Sequence, residues 1–138
     1  METYFLFIIV FLVKICVICG YKKGTETRDW TYVDDIIDGL LAMGIKEEAV
    51  GEAINLGSGN EHRVIDLANM VNALADNEAG IKYAERRDWD VKHRLLSSIE
   101  KARKLLGYEP QTEFEEGLKK VHVWFVENWA DIERSAEF

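Results

Sequence analysis

Proline, cysteine and histidine are scarce in this chain, and positive charge is not in excess. Proline occurs once, at Pro110, cysteine twice, at Cys16 and Cys19, and histidine three times in 138 residues. One proline with ten glycines argues against low complexity or a long disordered linker. Two cysteines give no disulfide framework, and the chain beyond Cys19 has none, which suits a reducing compartment. Cys16-x-x-Cys19 as a redox dithiol would need an exposed, electropositive setting, and as half a zinc site a second ligand pair; two buried small hydrophobes is the favoured reading. His62, His93 and His122 have no ligand spacing, so no metal site is expected. Lys and Arg total 17 against 25 Asp and Glu, a net charge of -8, so nonspecific nucleic-acid binding is disfavoured. A small phosphorylated ligand needs only two or three placed arginines. The sequence contains no P-loop, no Tyr-x-x-x-Lys pair and no internal repeat.

Charge is also missing from one stretch: Tyr4 to Tyr21 carries only Lys14. The chain therefore divides into an apolar leader, 1–23, and an acidic body, 24–138. Residues 4–21 approach the ~20 apolar residues that span a bilayer as a helix. Lys22, Lys23 and Arg28 follow, which would place the body on the cytoplasmic side of a membrane. Lys14 inside the run counts against that reading. A cleaved signal peptide fits less well, because only Glu2 precedes the run and no small-residue cleavage site is evident. Richness in Ile, Val and Phe also suits a buried strand or core segment. A third reading is a reading-frame scar. The protein is expected in the cytoplasm, free or anchored.

The body alternates helical periods with short strand-like runs, which predicts an α/β class with about four helices. Val33, Ile36, Ile37, Leu40 and Leu41 recur as one helix face, with Thr31 to cap the start and Gly44 to close the end. Residues 53–56 read as a short strand and Gly57-Ser58-Gly59 as a tight turn. Val64, Leu67, Ala68, Val71, Leu74 and Ala75 predict a second helix ended by Asp76, Asn77 and Gly80. Ile81 to Ala84 predicts a strand, and Arg86 to Asp90 a polar loop. Ser97 to Glu100 and Thr112 to Glu115 have capping-box spacing. The first opens a helix that stops at Gly107 before Pro110; the second opens a long helix with Phe114, Leu118, Val121, Phe125 and Trp129 on its buried face. These strands are too few for a complete doubly wound sheet.

Gly57-x-Gly59 stands where a dinucleotide fingerprint would, but His62 replaces the third glycine, and a simple turn is the plainer reading. Asp34, Asp35 and Asp38 read as a solvated face near a helix start. Arg28, with Trp30 nearby, and Arg86-Arg87, with Asp88, Trp89 and Asp90, bring forked donors and carboxylates together. Such groups suit a diphosphate and sugar hydroxyls, or else ordinary surface ion pairs.

Three segments together carry a resemblance. Residues 24–40, GTETRDWTYVDDIIDGL, resemble the Gly-x-x-x-Arg-Asp-aromatic-x-x-Val-x-Asp segment of the extended short-chain dehydrogenases/reductases, NAD-dependent nucleotide-sugar epimerases and dehydratases. GEAINLGSG resembles their Gly-Glu-x-x-Asn-x-Gly turn. Residues 86–125 resemble their closing region, with a Lys-Ala helix, Leu-Gly-aromatic-x-Pro and a Glu-Gly-Leu helix. The match is similar to UDP-glucose 4-epimerase in particular, and only to the C-terminal portion of the family.

The resemblance implies a substrate-binding domain whose Rossmann core is largely missing. It implies that Arg28 reaches the nucleotide end of a UDP-sugar, Arg87 the diphosphate and Asp90 the nucleotide ribose. Asp88-Trp89 departs from the Pro-Gly or Glu-Gly of many relatives. The family's NAD fingerprint and Tyr-x-x-x-Lys pair are expected before Gly24, and neither is there. The expected protein is thus a truncated homologue, without catalytic residues or cofactor of its own and with at best weak hold on a UDP-sugar. Alternatives are a membrane-anchored interaction domain, or one subunit of a split enzyme completed by a separate Rossmann subunit. Helices deprived of a packing partner would expose an apolar patch and favour self-association.

Overall fold

The computed structural model describes residues 16–19, 24–78, 80–84 and 92–135. Among these, strand β1 (Cys16–Cys19) pairs in parallel with β4 (Ile81–Ala84). A second sheet has the order β3-β2-β5. In it β2 (Thr27–Asp29) runs antiparallel to β3 (Glu61–Arg63) and parallel to β5 (Arg94–Leu95). Five α-helices are described: α1 (Val33–Ile45), α2 (Val64–Leu74), α3 (Glu100–Leu106), α4 (Phe114–Glu127) and α5 (Trp129–Ser135). A 3-10 turn covers Glu47–Ala49. The α/β class stands.

The strand β1 corrects the membrane-helix reading of residues 4–21, because a helix through that run cannot contain Cys16–Cys19 as a paired strand. No helix among the described residues is long and apolar enough to cross a membrane. The rest of the leader lies outside the described residues.

The main core forms where α1, the 3-10 turn and α3 meet. Ile99, Ala102, Leu106, Tyr108 and Ala49 are buried there, with Ala42, Met43, Ile54 and Leu56 packed against them. A smaller cluster joins α2 to β4 through Ala68, Val64, Ile65 and Ile81. Burying such side chains stabilises the fold by roughly 25 cal/mol per Å² of apolar area.

Helix α1 turns the opposite way from the sequence expectation. Its buried positions are Asp35 and Gly39, while Val33 (57%), Leu40 (56%), Leu41 (63%) and Ile37 are exposed. Small Gly39 lets the helix approach closely: a Cβ there would lie 2.7 Å from a Leu56 methyl. Gly44 does not end α1; Ile45 does, with Lys46 beyond.

The caps differ too. Tyr32, Ile99 and Glu113 stand at the starts of α1, α3 and α4 without a side-chain cap bond, so neither capping box forms. Thr31 Oγ1 instead donates to Asp29 Oδ1 at 3.3 Å. The carbonyls of Glu26 and Gly24 accept from Val64 and Ile65 N–H and satisfy the opening of α2. Gly107 does close α3, in the left-handed region at φ 69°, and Tyr108 N–H returns to the Ala102 carbonyl. The last helix is two helices, broken at Asn128, whose side-chain amide donates to the Trp124 carbonyl at 2.8 Å. Only Gly117 of α4 is fully buried; Val121, placed on the inner face by its spacing, is exposed.

Candidate functional site

The three-stranded sheet is stitched by side chains. Thr27 Oγ1 on β2 donates to Glu61 Oε2 on β3 at 2.7 Å, and Arg94 on β5 forks onto both oxygens of Glu61 at 2.8–3.0 Å. The hydrogen bonds from Arg94, then that from Thr27, hold the Glu61 carboxyl down at about 2.

Arg28 lies between Thr27 and Asp29 in this sheet. Its Nη1 donates to the Thr27 carbonyl at 2.8 Å and reaches the His93 carbonyl at 3.5 Å, and Nη2 donates to the Lys92 carbonyl at 3.1 Å. The guanidinium is therefore fixed beside Lys92 and His93, the two residues that lead into β5. Arg86, Arg87 and Asp90, with Asp88 and Trp89, lie outside the described residues.

Asp29 carries the densest cluster of bonds. Its Oδ1 accepts from Ser58 N–H at 2.9 Å and Ser58 Oγ at 2.6 Å, and its Oδ2 from Gly59 N–H and Ser97 N–H at 3.2 Å each. One carboxylate thus ties β2 to the Gly57-Ser58-Gly59 turn and to the approach to α3. Burial pushes the carboxyl up, but these hydrogen bonds together outweigh burial and lower its pKa. Gly57 is required at the junction, since a Cβ would sit 2.6 Å from Ser97 Cβ and 2.7 Å from Asp29 Oδ2. The buried Tyr108 hydroxyl donates to the Gly57 carbonyl at 3.0 Å. Burial, then the carboxylates of Asp35, Asp29 and Asp38, raise the pKa of that phenol.

Asp35 corrects the solvated-face reading of its cluster. It is buried, at 4% exposure, and accepts from Gln111 N–H at 2.8 Å and Thr112 N–H at 3.2 Å, setting the entry into α4. Asp34 and Asp38 are exposed. Arg63, at the end of β3, pairs with Asp66 on α2 at 2.7 Å. His62 stacks on Phe114 with ring centroids 4.2 Å apart. Beside that stack, Trp30, Tyr32, Leu67, Phe114 and Leu118 line an apolar cavity of about 190 Å³. Among the described residues no group of three or more His, Cys, Asp or Glu could hold a metal ion.

The GDP-mannose 4,6 dehydratase family model matches residues 14–121. The chain belongs to the nucleotide-sugar epimerase/dehydratase family of extended short-chain dehydrogenases/reductases. An epimerase of Methanothermobacter thermautotrophicus has a solved structure 56% identical to this chain, with TM-score 0.88 over 94% of this chain and 38% of that one. UDP-glucuronic acid 4-epimerase of Bacillus cereus, solved with UDP-glucuronic acid and NAD, is 27% identical, with TM-score 0.76 over 87% of this chain and 38% of that one. UDP-glucuronate 4-epimerase of Thermodesulfobacterium geofontis is 39% identical over 78% of this chain and 33% of its own length. The chain spans about a third of the length of such relatives.

Within this family member, β1 belongs to the matched region, which begins at residue 14 inside the apolar run. NAD, present in solved relatives, has no seat at the Gly57-Ser58-Gly59 turn. The N–H groups of Ser58 and Gly59, which would cradle a pyrophosphate, are taken by Asp29, whose charge would repel one. The turn also leads into β3 rather than directly into a helix. Sequence analysis placed Asp29 and Tyr108 only within family motifs and Asp35 on a solvated face, and foresaw none of the bonds that these three make.

Proposed function

We propose that this chain is the part of a nucleotide-sugar epimerase/dehydratase that holds the nucleotide diphosphate of a UDP-sugar. Arg87 supplies forked donors to the diphosphate, Asp90 accepts from the ribose hydroxyls, and Arg28, its Nη donors held by the Thr27, Lys92 and His93 carbonyls, contributes fixed positive charge at the nucleotide end. The observation that carries this reading is the fixed position of Arg28. Bonds to the Lys92 and His93 carbonyls put a permanent cation beside the end of the segment that bears Arg87 and Asp90. The solved Bacillus relative holds both UDP-glucuronic acid and NAD, and that of Bordetella bronchiseptica NAD+ and UDP, which supports the same ligand class.

Hydride transfer is assigned to none of this chain's residues. The Tyr-x-x-x-Lys pair implied by the family is not among them, and the one glycine turn does not fit the cofactor. A cleft that lies between two parts of a larger fold loses most of its contacts when one part stands alone. Calorimetric titration of the purified chain with UDP-glucose and UDP-glucuronic acid is expected to show Kd in the millimolar range, about −4 kcal/mol. Arg28→Ala or Arg87→Ala should abolish even that signal, and no turnover should be detected. Turnover by the chain alone, or binding indifferent to both arginines, would overturn the proposal.

A further inference from the structure

Helix α4 has an outer face that its own chain leaves uncovered. Gly117, Leu118, His122 and Phe125 turn inward and are buried or half-buried. At helical spacing the opposite side carries Glu116, Lys119, Lys120, Val123 and Glu127, all exposed. Val123 lies near the middle of that run, and Trp124 and Val126 flank it; all three are more than half exposed. Apolar side chains gathered on one exposed turn and rimmed by charge mark an interaction surface.

The charges around the patch select the partner. Lys120 is taken by Glu116 of its own chain at 2.8 Å and lies 5.2 Å from the centre of the Tyr32 ring. Lys119 and Glu127 have no ion pair among the described residues. They stand four residues before and four residues after Val123, about 6 Å along the helix axis on either side. A two-fold axis through Val123 that sets α4 antiparallel to its copy therefore brings Lys119 of each chain to Glu127 of the other, twice over. In a parallel pairing each would meet its own kind. Two lysines and two glutamates on this face cancel, so the net charge of -8 is carried by other surfaces.

We infer that the outer face of α4 is a self-association surface, on which two copies of this chain pair antiparallel. Val123 sits at the axis, Trp124 and Val126 pack around it, and Lys119–Glu127 ion pairs close both ends. One helix face is small for a permanent complex, so monomer and dimer exchange reversibly. The inference goes beyond the UDP-sugar proposal and rests on none of its residues.

The test is sedimentation velocity of the full chain over a concentration series, where a monomer–dimer equilibrium is expected. Lys119→Glu and Glu127→Lys should each weaken dimerisation by about tenfold or more, because each sets like charges against each other at both ends. An equimolar mixture of the two variants should recover it as a heterodimer, since one chain then carries acids at both positions and the other bases at both. Val123→Glu should abolish the dimer. Circular dichroism and thermal unfolding of all three variants should match the parent, their positions being exposed. Leu40→Glu, on the exposed face of α1, should leave dimerisation unchanged. Four outcomes would overturn the inference: the chain stays monomeric throughout, the dimer tolerates the charge reversals, the mixture fails to recover it, or Leu40→Glu is the variant that disrupts it.

Discussion

Removing the Asp29 carboxylate should unfasten three segments at once. Four donors converge on it within 3.2 Å: Ser58 N–H, Ser58 Oγ, Gly59 N–H and Ser97 N–H. A hydrogen bond to a charged group is worth about 1.5–3 kcal/mol net, and a neutral one about 1. The junction is part-buried, so water can reach some of the freed donors and the lower figure applies. Four bonds at about 1 kcal/mol each put Asp29→Ala near 4 kcal/mol of lost stability. That is a large share of the roughly 5–15 kcal/mol that holds a domain folded. Asn keeps the shape and one good acceptor but turns an NH2 group toward two N–H donors. Asp29→Asn should therefore cost about half as much, near 2 kcal/mol. Urea unfolding followed by far-UV circular dichroism and tryptophan fluorescence measures both. The reasoning fails if Asp29→Ala unfolds within about 0.5 kcal/mol of the parent, the range of ordinary surface substitutions.

Gly57→Ala places a methyl 2.6 Å from Ser97 Cβ and should cost about 1–3 kcal/mol in the same assay. Tyr108→Phe leaves the Gly57 carbonyl without its buried donor and should cost about 1–2 kcal/mol, with little change in the packing of the ring. Acid should weaken the fold through Asp29 and Glu61. Both carboxyls have lower pKa values folded than unfolded, so their stabilisation is complete above the unfolded values and is lost as pH falls. For Glu61 the window runs from about 4.5 down to about 2. The urea midpoint should stay level from neutral pH to about pH 5 and then drop, and the Asp29→Asn, Glu61→Gln double variant should flatten that drop. An unchanged acid slope in the double variant would refute the assignment.

The periodicities of Val64 to Leu74, and the Gly107 stop before Pro110, were legible because they are local. A helix is announced by residues three and four apart, and a left-handed glycine by its own backbone freedom. The family was legible because its motifs are written in order along the chain, Arg28-Asp29 before Gly57-Ser58-Gly59 before Leu106-Gly107. The apolar run was ambiguous in isolation, since Ile, Val and Phe suit a membrane helix and a strand alike. Only pairing with Ile81–Ala84 identified Cys16–Cys19 as a strand.

Tertiary structure alone chose the partners. Asp29 bonds across 29 to 68 residues and Asp35 across 76 and 77, and no spacing rule reaches so far. The capping boxes failed for the same reason. The chain entering α4 is fixed by Asp35 from a distant helix, and the approach to α3 by Asp29 through Ser97 N–H. On α1, periodicity marked an apolar face but could not say which face this chain covers. That depends on where Gly39 lets Leu56 approach, a matter of packing in three dimensions. By itself the sequence determined the family and the local helix periods and stops. Which side chains hold those elements together, and which face of α1 is buried, follows from contacts that exist only once the chain is folded.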